Sequence, residues 1–199
     1  MKALVVYCHP RTGSFNAAIR DLVVARLEAQ GVEYRLRDLY AEGFDPTLSP
    51  QDHEFYETVP ENRIRVERDC NDLEWCDALI FVYPTWWYGL PAMLKGWLDR
   101  AMVPGVAFIM PENEGGDIKS GLTHITKLGV FTTCGASRWL TFFVGAPGKR
   151  TLMRGVRLLL AKRCKTAFAA QFLMDSATPE SRAQHLKTVA ARLDKLIRA

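Results

Sequence analysis

What most constrains this chain is an alternation. Short runs of Val, Leu, Ile and Phe, each the length of one strand, are separated by longer stretches whose apolar residues fall at helical spacing. Lys2–Cys8 is rich in Val and Leu and ends in His9-Pro10. Ala78–Tyr83 is apolar throughout, and Pro84 is expected to stop it. Glu33–Asp38, Lys127–Thr132 and Thr166–Leu173 complete a set of five strands. An apolar run without alternation suits a strand buried on both faces, as in a parallel sheet. Between the strands, Ala18, Ile19, Leu22, Val23 and Leu27 mark a helix that Ser14 can cap and Gly31 can end. A charged helix is expected over 62–75, and Pro91 opens another with Met93, Leu94, Trp97, Leu98 and Ala101 on one face. A basic helix follows over about 149–162. The last helix carries Leu186, Val189, Ala190, Leu193 and Ile197. Strands alternating with helices require a parallel sheet covered on both sides, a three-layer α/β sandwich, and five strands of this rhythm fit the order 2-1-3-4-5.

The 199 residues, 48% hydrophobic and 11% aromatic, suit a single domain over 1–199. No apolar run approaches the roughly 20 residues of a membrane span, so no membrane insertion is expected. Met1–Tyr7 reads as a first strand in a cytoplasmic protein, since it lacks the long apolar core and cleavage site of a signal peptide. The five cysteines are odd in number and include no C-x-x-C pair; neither a disulfide framework nor a metal site is expected from them or from the four histidines. Cys8 does not open a C-x5-R phosphatase loop, because Ser14 stands where arginine is needed.

Charge is unevenly distributed. Residues 1–117 hold 11 basic and 19 acidic side chains, whereas 118–174 hold 10 basic and no acidic ones. Such a block is either a solvated face or a field that draws in a small anion such as a dinucleotide. Nucleic acid is not expected as a partner: the pI is modest and no aromatic-basic RNA motif is present.

In a sheet of this order ligands bind at the carboxyl ends of the strands, which directs attention to three loops. His9-Pro10-Arg11-Thr12-Gly13-Ser14-Phe15-Asn16 joins a buried strand to a helix N-terminus, where free N–H groups and the helix dipole favour an anion. Pro84-Thr85-Trp86-Trp87-Tyr88-Gly89-Leu90-Pro91 sets three consecutive aromatics at a strand end, where they cannot all enter the core. They serve either as the wall of a flat-ring site or as part of a dimer interface or lid. Thr132-Thr133-Cys134-Gly135-Ala136-Ser137 has the small residues that let a ligand lie close to the backbone.

These three segments, in this order, resemble the NAD(P)H dehydrogenase (quinone) family. The first resembles that family's first-strand loop, and Tyr83–Arg100, with aromatic-Gly-x-Pro-Ala followed by Leu-Lys-Gly-Trp, its most specific segment. Thr132–Gly135 is similar to its Thr-Thr-Gly-Gly loop, with Cys134 in place of one glycine. The resemblance implies a flavodoxin-like homodimer with a non-covalent flavin, FAD or alternatively FMN. His9, Thr12, Ser14, Phe15 and Asn16 would hold its phosphate end. Pro84, Thr85, Trp86, Trp87 and Tyr88 would line the isoalloxazine, and Thr132, Thr133, Cys134 and Gly135 would approach it from the other loop. NADPH or NADH would give a hydride to flavin N5, and a quinone or similar small acceptor would receive it.

The chain departs from the family pattern after the third loop. Well-studied mammalian relatives carry a tyrosine and a histidine there; here Arg138–Gly145 has neither, and Trp139 is the ring left to meet a substrate. Catalytic side chains are therefore not assignable from the sequence. Two other functions accompany this resemblance: a flavodoxin-type electron carrier, and an ancillary regulatory flavoprotein of a potassium efflux system. A carrier ordinarily shows a strongly acidic surface, against the net +4 here, and no segment marks a transporter-facing surface.

Overall fold

Five parallel strands make the central sheet of the computed structural model, which describes residues 1–111, 113 and 115–199. They are β1 (Lys2–Tyr7), β2 (Glu33–Asp38), β3 (Ala78–Thr85), β6 (Lys127–Cys134) and β7 (Lys165–Gln171). Two short strands, β4 (Phe108–Ile109) and β5 (Lys119–Ser120), pair antiparallel as a separate ribbon. The sheet order is β2-β1-β3-β6-β7, which is the expected 2-1-3-4-5 once the ribbon is set aside. The helices are α1 (Phe15–Ala29), α2 (Pro50–Glu54), α3 (Glu67–Trp75), α4 (Ala92–Ala101), α5 (Arg138–Phe143), α6 (Pro147–Arg150) and α7 (Pro179–Arg198).

Successive residues of a strand point to opposite faces, and here both faces are covered. Val5, Tyr7, Ile80 and Val82 meet α1 and α7 through Ile19, Val23, Val189 and Leu193. Leu4, Val6, Leu79 and Phe81 meet the other helix layer through Leu73, Leu94, Trp97 and Leu152. That double burial is why the strands read as unbroken apolar runs, and it makes the molecule a flavodoxin-like three-layer sandwich.

Some element limits differ from the sequence expectation, each for a local reason. β3 runs through Pro84 to Thr85 instead of stopping at Tyr83. The Val82 carbonyl accepts from Cys8 N–H, so the backbone groups of Val82 face β1, and those of Pro84, two residues on, face the same way. β1 has ended by that point, so the missing proline N–H costs no ladder bond. The expected helix over 62–75 divides into a 3-10 segment, Glu61–Val66, and α3, because Val66 leaves helical geometry at φ −131°. The expected 149–162 helix is shorter: α6 is followed by a widened π-helical stretch, Thr151–Val156, that seats Leu152 and Val156 in the core. β7 ends at Gln171, and Leu173 beyond it is left-handed at φ 53°.

α4 is anchored by its own sequence. A Cβ on Gly96 would stand 2.2 Å from the Pro46 carbonyl oxygen, so only glycine lets the Pro46 backbone lie on the helix. The neighbouring Trp97 indole N–H donates to Asp69 Oδ1 at 2.7 Å, and Arg37 Nε donates to the same oxygen at 3.0 Å. Asp69, Arg37 and Trp97 are all buried. The Leu-Lys-Gly-Trp part of the long motif thus holds the scaffold.

Candidate functional site

The strands do not end level. β3 pairs with β1 only as far as Val82 but with β6 as far as Thr85. The step leaves a cleft of about 840 Å³ at the carboxyl edge of the sheet, within the size range of small-molecule and cofactor sites. His9, Phe15 and Asn16 line one side, Pro84 through Tyr88 the second, and Thr133, Cys134 and Gly135 the third.

The aromatic wall sits on a strained turn. Trp87 and Tyr88 have φ of 49° and 61°, and Gly89 N–H donates to the Trp86 carbonyl at 2.9 Å. Two successive left-handed residues closed by this bond make a type I′ arrangement, which ordinarily takes Asn or Gly. Large aromatics there cost about 1–2 kcal/mol per residue. The turn is kept in place from below: Gly148 N–H donates to the Tyr88 carbonyl, and a Cβ on Gly148 would approach Gly89 backbone at 3.0 Å. The result leaves Trp87 95% exposed. Strain retained at a ligand cleft is a functional signature.

The opposite wall is polar. Ser14 caps α1 by accepting Ala17 N–H at 3.1 Å, which orients the first turn of that helix toward the cleft. His9 Nδ1 lies 3.0 Å from the Arg11 N–H and 3.2 Å from the Arg11 carbonyl oxygen, so the first loop folds back on its own histidine. Burial chiefly, and the Arg11 charge after it, hold the His9 pKa below the usual histidine value. Asn16 Nδ2 donates to Thr133 Oγ1 at 2.8 Å, tying the first loop to the end of β6. Its Oδ1 is buried without a hydrogen-bond partner. A buried acceptor left unpaired in a cleft suits a ligand that brings a donor.

Of the residues expected at a site, His9, Phe15, Asn16, Pro84, Thr85, Trp86, Trp87, Tyr88, Thr133, Cys134 and Gly135 all line this cleft. Thr12 and Ser14 lie in the same loop but are not among its lining residues; Ser14 acts through its cap. Thr132 faces a second, adjoining cavity of about 500 Å³ and shares a 2.9 Å hydroxyl–hydroxyl bond with Thr85. Trp139 lines neither; it stacks on Phe143 at 5.5 Å and stands 70% exposed. Thr132, Thr133 and Cys134 belong to the last turnless residues of β6 and not to a loop, because β3 continues beside them. Arg11 of the first loop and Ala136 of the third also line the cleft, as do Met174 and Asp175, which the sequence did not reveal. Asp175 follows β7 and comes so near the third loop that a Cβ on Gly135 would meet its Oδ2 at 2.8 Å. Its position just past a strand's carboxyl end was the available signal. Among the described residues no group of three or more His, Cys, Asp or Glu could hold a metal ion, and no helix is long and apolar enough to cross a membrane.

A family profile described as a flavodoxin-like fold matches residues 1–197. Over 123 residues the chain is 35% identical to NAD(P)H dehydrogenase (quinone) 1 of Rattus norvegicus, covering 54% of this chain and 45% of that protein. It is 31% identical over 140 residues to an uncharacterized NAD(P)H oxidoreductase of Haemophilus influenzae, covering 69% and 66%. The chain spans about half the length of the first curated relatives it matches. A crystal structure from Streptococcus mutans UA159 superposes with a TM-score of 0.83 at 28% identity, covering 98% of this chain and 100% of that one.

Proposed function

The chain belongs to the flavodoxin-like family, and on that premise we propose that it is a flavin-dependent NAD(P)H oxidoreductase that reduces quinones. The observation that carries the proposal is the strained aromatic turn facing a helix N-terminus across one cleft: a flat ring has a wall, and an anionic tail has a dipole. The names of the rat and Haemophilus relatives point to the same chemistry.

In this assignment Pro84 through Tyr88 flank the isoalloxazine, and Thr132 through Gly135 approach it from β6. His9, Thr12, Ser14, Phe15 and Asn16 receive the phosphate end. The unpaired Asn16 Oδ1 accepts from a ligand donor. A flavin held there would supply the hydride-transfer chemistry between NADPH or NADH and the acceptor. The protein orients the reactants and excludes water. FAD is favoured over FMN because the family resemblance matches His9 to the position that approaches the diphosphate. Trp139 meets the acceptor, and a second copy of the chain closes over the site. Support for such a homodimer comes from Trp87, Trp139, Phe142 and Phe143, large apolar side chains exposed at or beside the cleft.

Purified protein should be yellow, release FAD on denaturation, and oxidise NADPH or NADH with menadione. Protein that takes up neither FAD nor FMN refutes the proposal. Trp87→Ala should lower flavin retention or turnover; unchanged behaviour assigns the turn to the interface instead.

A further inference from the structure

The second cavity, about 500 Å³, shares Thr85, Tyr88 and Cys134 with the cofactor cleft but differs from it in charge. The cleft carries Asp175 alongside Arg11. The cavity is lined by Arg138, Lys149 and Arg192, contributed by α5, α6 and α7, and by no carboxylate among the described residues. None of these three cations forms an ion pair with a described Asp or Glu. Lys149 Nζ instead lies 4.6 Å from the Phe168 ring centroid, and Arg192 donates to the Phe168 carbonyl. Phe142, Phe168 and Phe172 supply apolar ring surface around them. His185 also lines the cavity; it is buried and its Nε2 has no hydrogen-bond partner.

Three cations converging from separate helices on an aromatic pocket, without counter-charge, create a field that favours an anion on a flat ring. We propose that this cavity is an acid-group subsite, seating the carboxylate or sulfonate of an aromatic quinone whose ring reaches the adjoining flavin cleft past Tyr88 and Cys134. The inference rests on the oxidoreductase reading and names its substrate class: anionic aromatic acceptors in preference to neutral ones. The overall reaction balances as NAD(P)H plus one proton plus quinone giving NAD(P)⁺ and hydroquinone, with two electrons transferred.

The test compares a naphthoquinone sulfonate with uncharged menadione on the flavin-loaded protein. The wild type should prefer the sulfonate in kcat/KM by about tenfold, the value of one charge-assisted contact. Arg138→Gln/Lys149→Gln should abolish that ratio, and Lys149→Arg should retain it. Calorimetric titration with naphthalene sulfonate, without donor, should show binding in the wild type that the double variant loses. An acceptor ratio identical in wild type and double variant overturns the subsite. So does a double variant that alters the NADPH-to-NADH ratio and leaves the acceptor ratio unchanged, since the cations would then serve the donor. Sulfonate binding that depends on both cations, in a protein that turns over neither quinone, supports the subsite and refutes the oxidoreductase reading.

Discussion

The segment Tyr83–Arg100 contains two regions in opposite physical states. Its second half, α4, has a buried, engaged face: Gly96 lies against Pro46, and Trp97 bonds to Asp69, which also holds Arg37. Its first half carries the turn Trp86–Gly89, in which Trp86 and Trp87 are exposed and Trp87 and Tyr88 are left-handed. A single motif therefore combines a rigid footing with a turn kept out of its own minimum. The difference teaches that motif specificity has two sources, packing in one half and ligand shape in the other, and that substitutions should separate them.

The footing should show the largest effects. Asp69→Ala leaves the Arg37 guanidinium and the Trp97 indole N–H without their shared acceptor, and should cost about 3–5 kcal/mol in urea unfolding. Gly96→Ala forces a methyl against the Pro46 carbonyl and should cost about 1–3 kcal/mol by the same measurement. The turn should respond in the reverse direction. Trp87→Gly relieves one left-handed aromatic and should raise stability by about 1 kcal/mol while loosening flavin retention. A loss of stability would mean that the exposed indole has a packing role. A further effect appears only as pH falls and concerns His185, whose pKa is lowered to about 4 by burial and by Arg192. The unfolded imidazole takes its proton near 6.5, the folded one only near 4. Acid therefore favours unfolding, and Tm should fall as pH drops through that window. His185→Leu should flatten that part of the Tm profile.

Fold and site were legible to different depths. The strands could be read because burial on both faces leaves a purely local mark, as in Ala78–Val82. The three cleft loops followed from strand order alone. What the sequence hid was long-range. Met174 and Asp175 join the cleft because β7 lies beside β6, and their place just past a strand's carboxyl end is the one local sign of it. His185 is buried, its ring centroid 6.0 Å from that of Phe15, and nothing local in the chain marks that contact. The region around Asp52 reads as a solvated loop, yet Ser49 and Asp52 form a capping box that starts α2. The basic block of 118–174 separates in space: Arg138 and Lys149 reach the second cavity, whereas Lys119, Arg154, Arg157 and Lys162 line a different groove.

Pro84 has a further consequence. Beyond Val82 the β1-facing margin of β3 is an open strand edge beside the cleft, the kind of edge onto which another backbone readily adds. At that spot the ring nitrogen has nothing to donate, so a passing segment finds the Pro84 carbonyl as an acceptor but no donor beside it. The open edge of the cleft is thus short of one donor, and Pro84→Ala would restore it for a competing backbone.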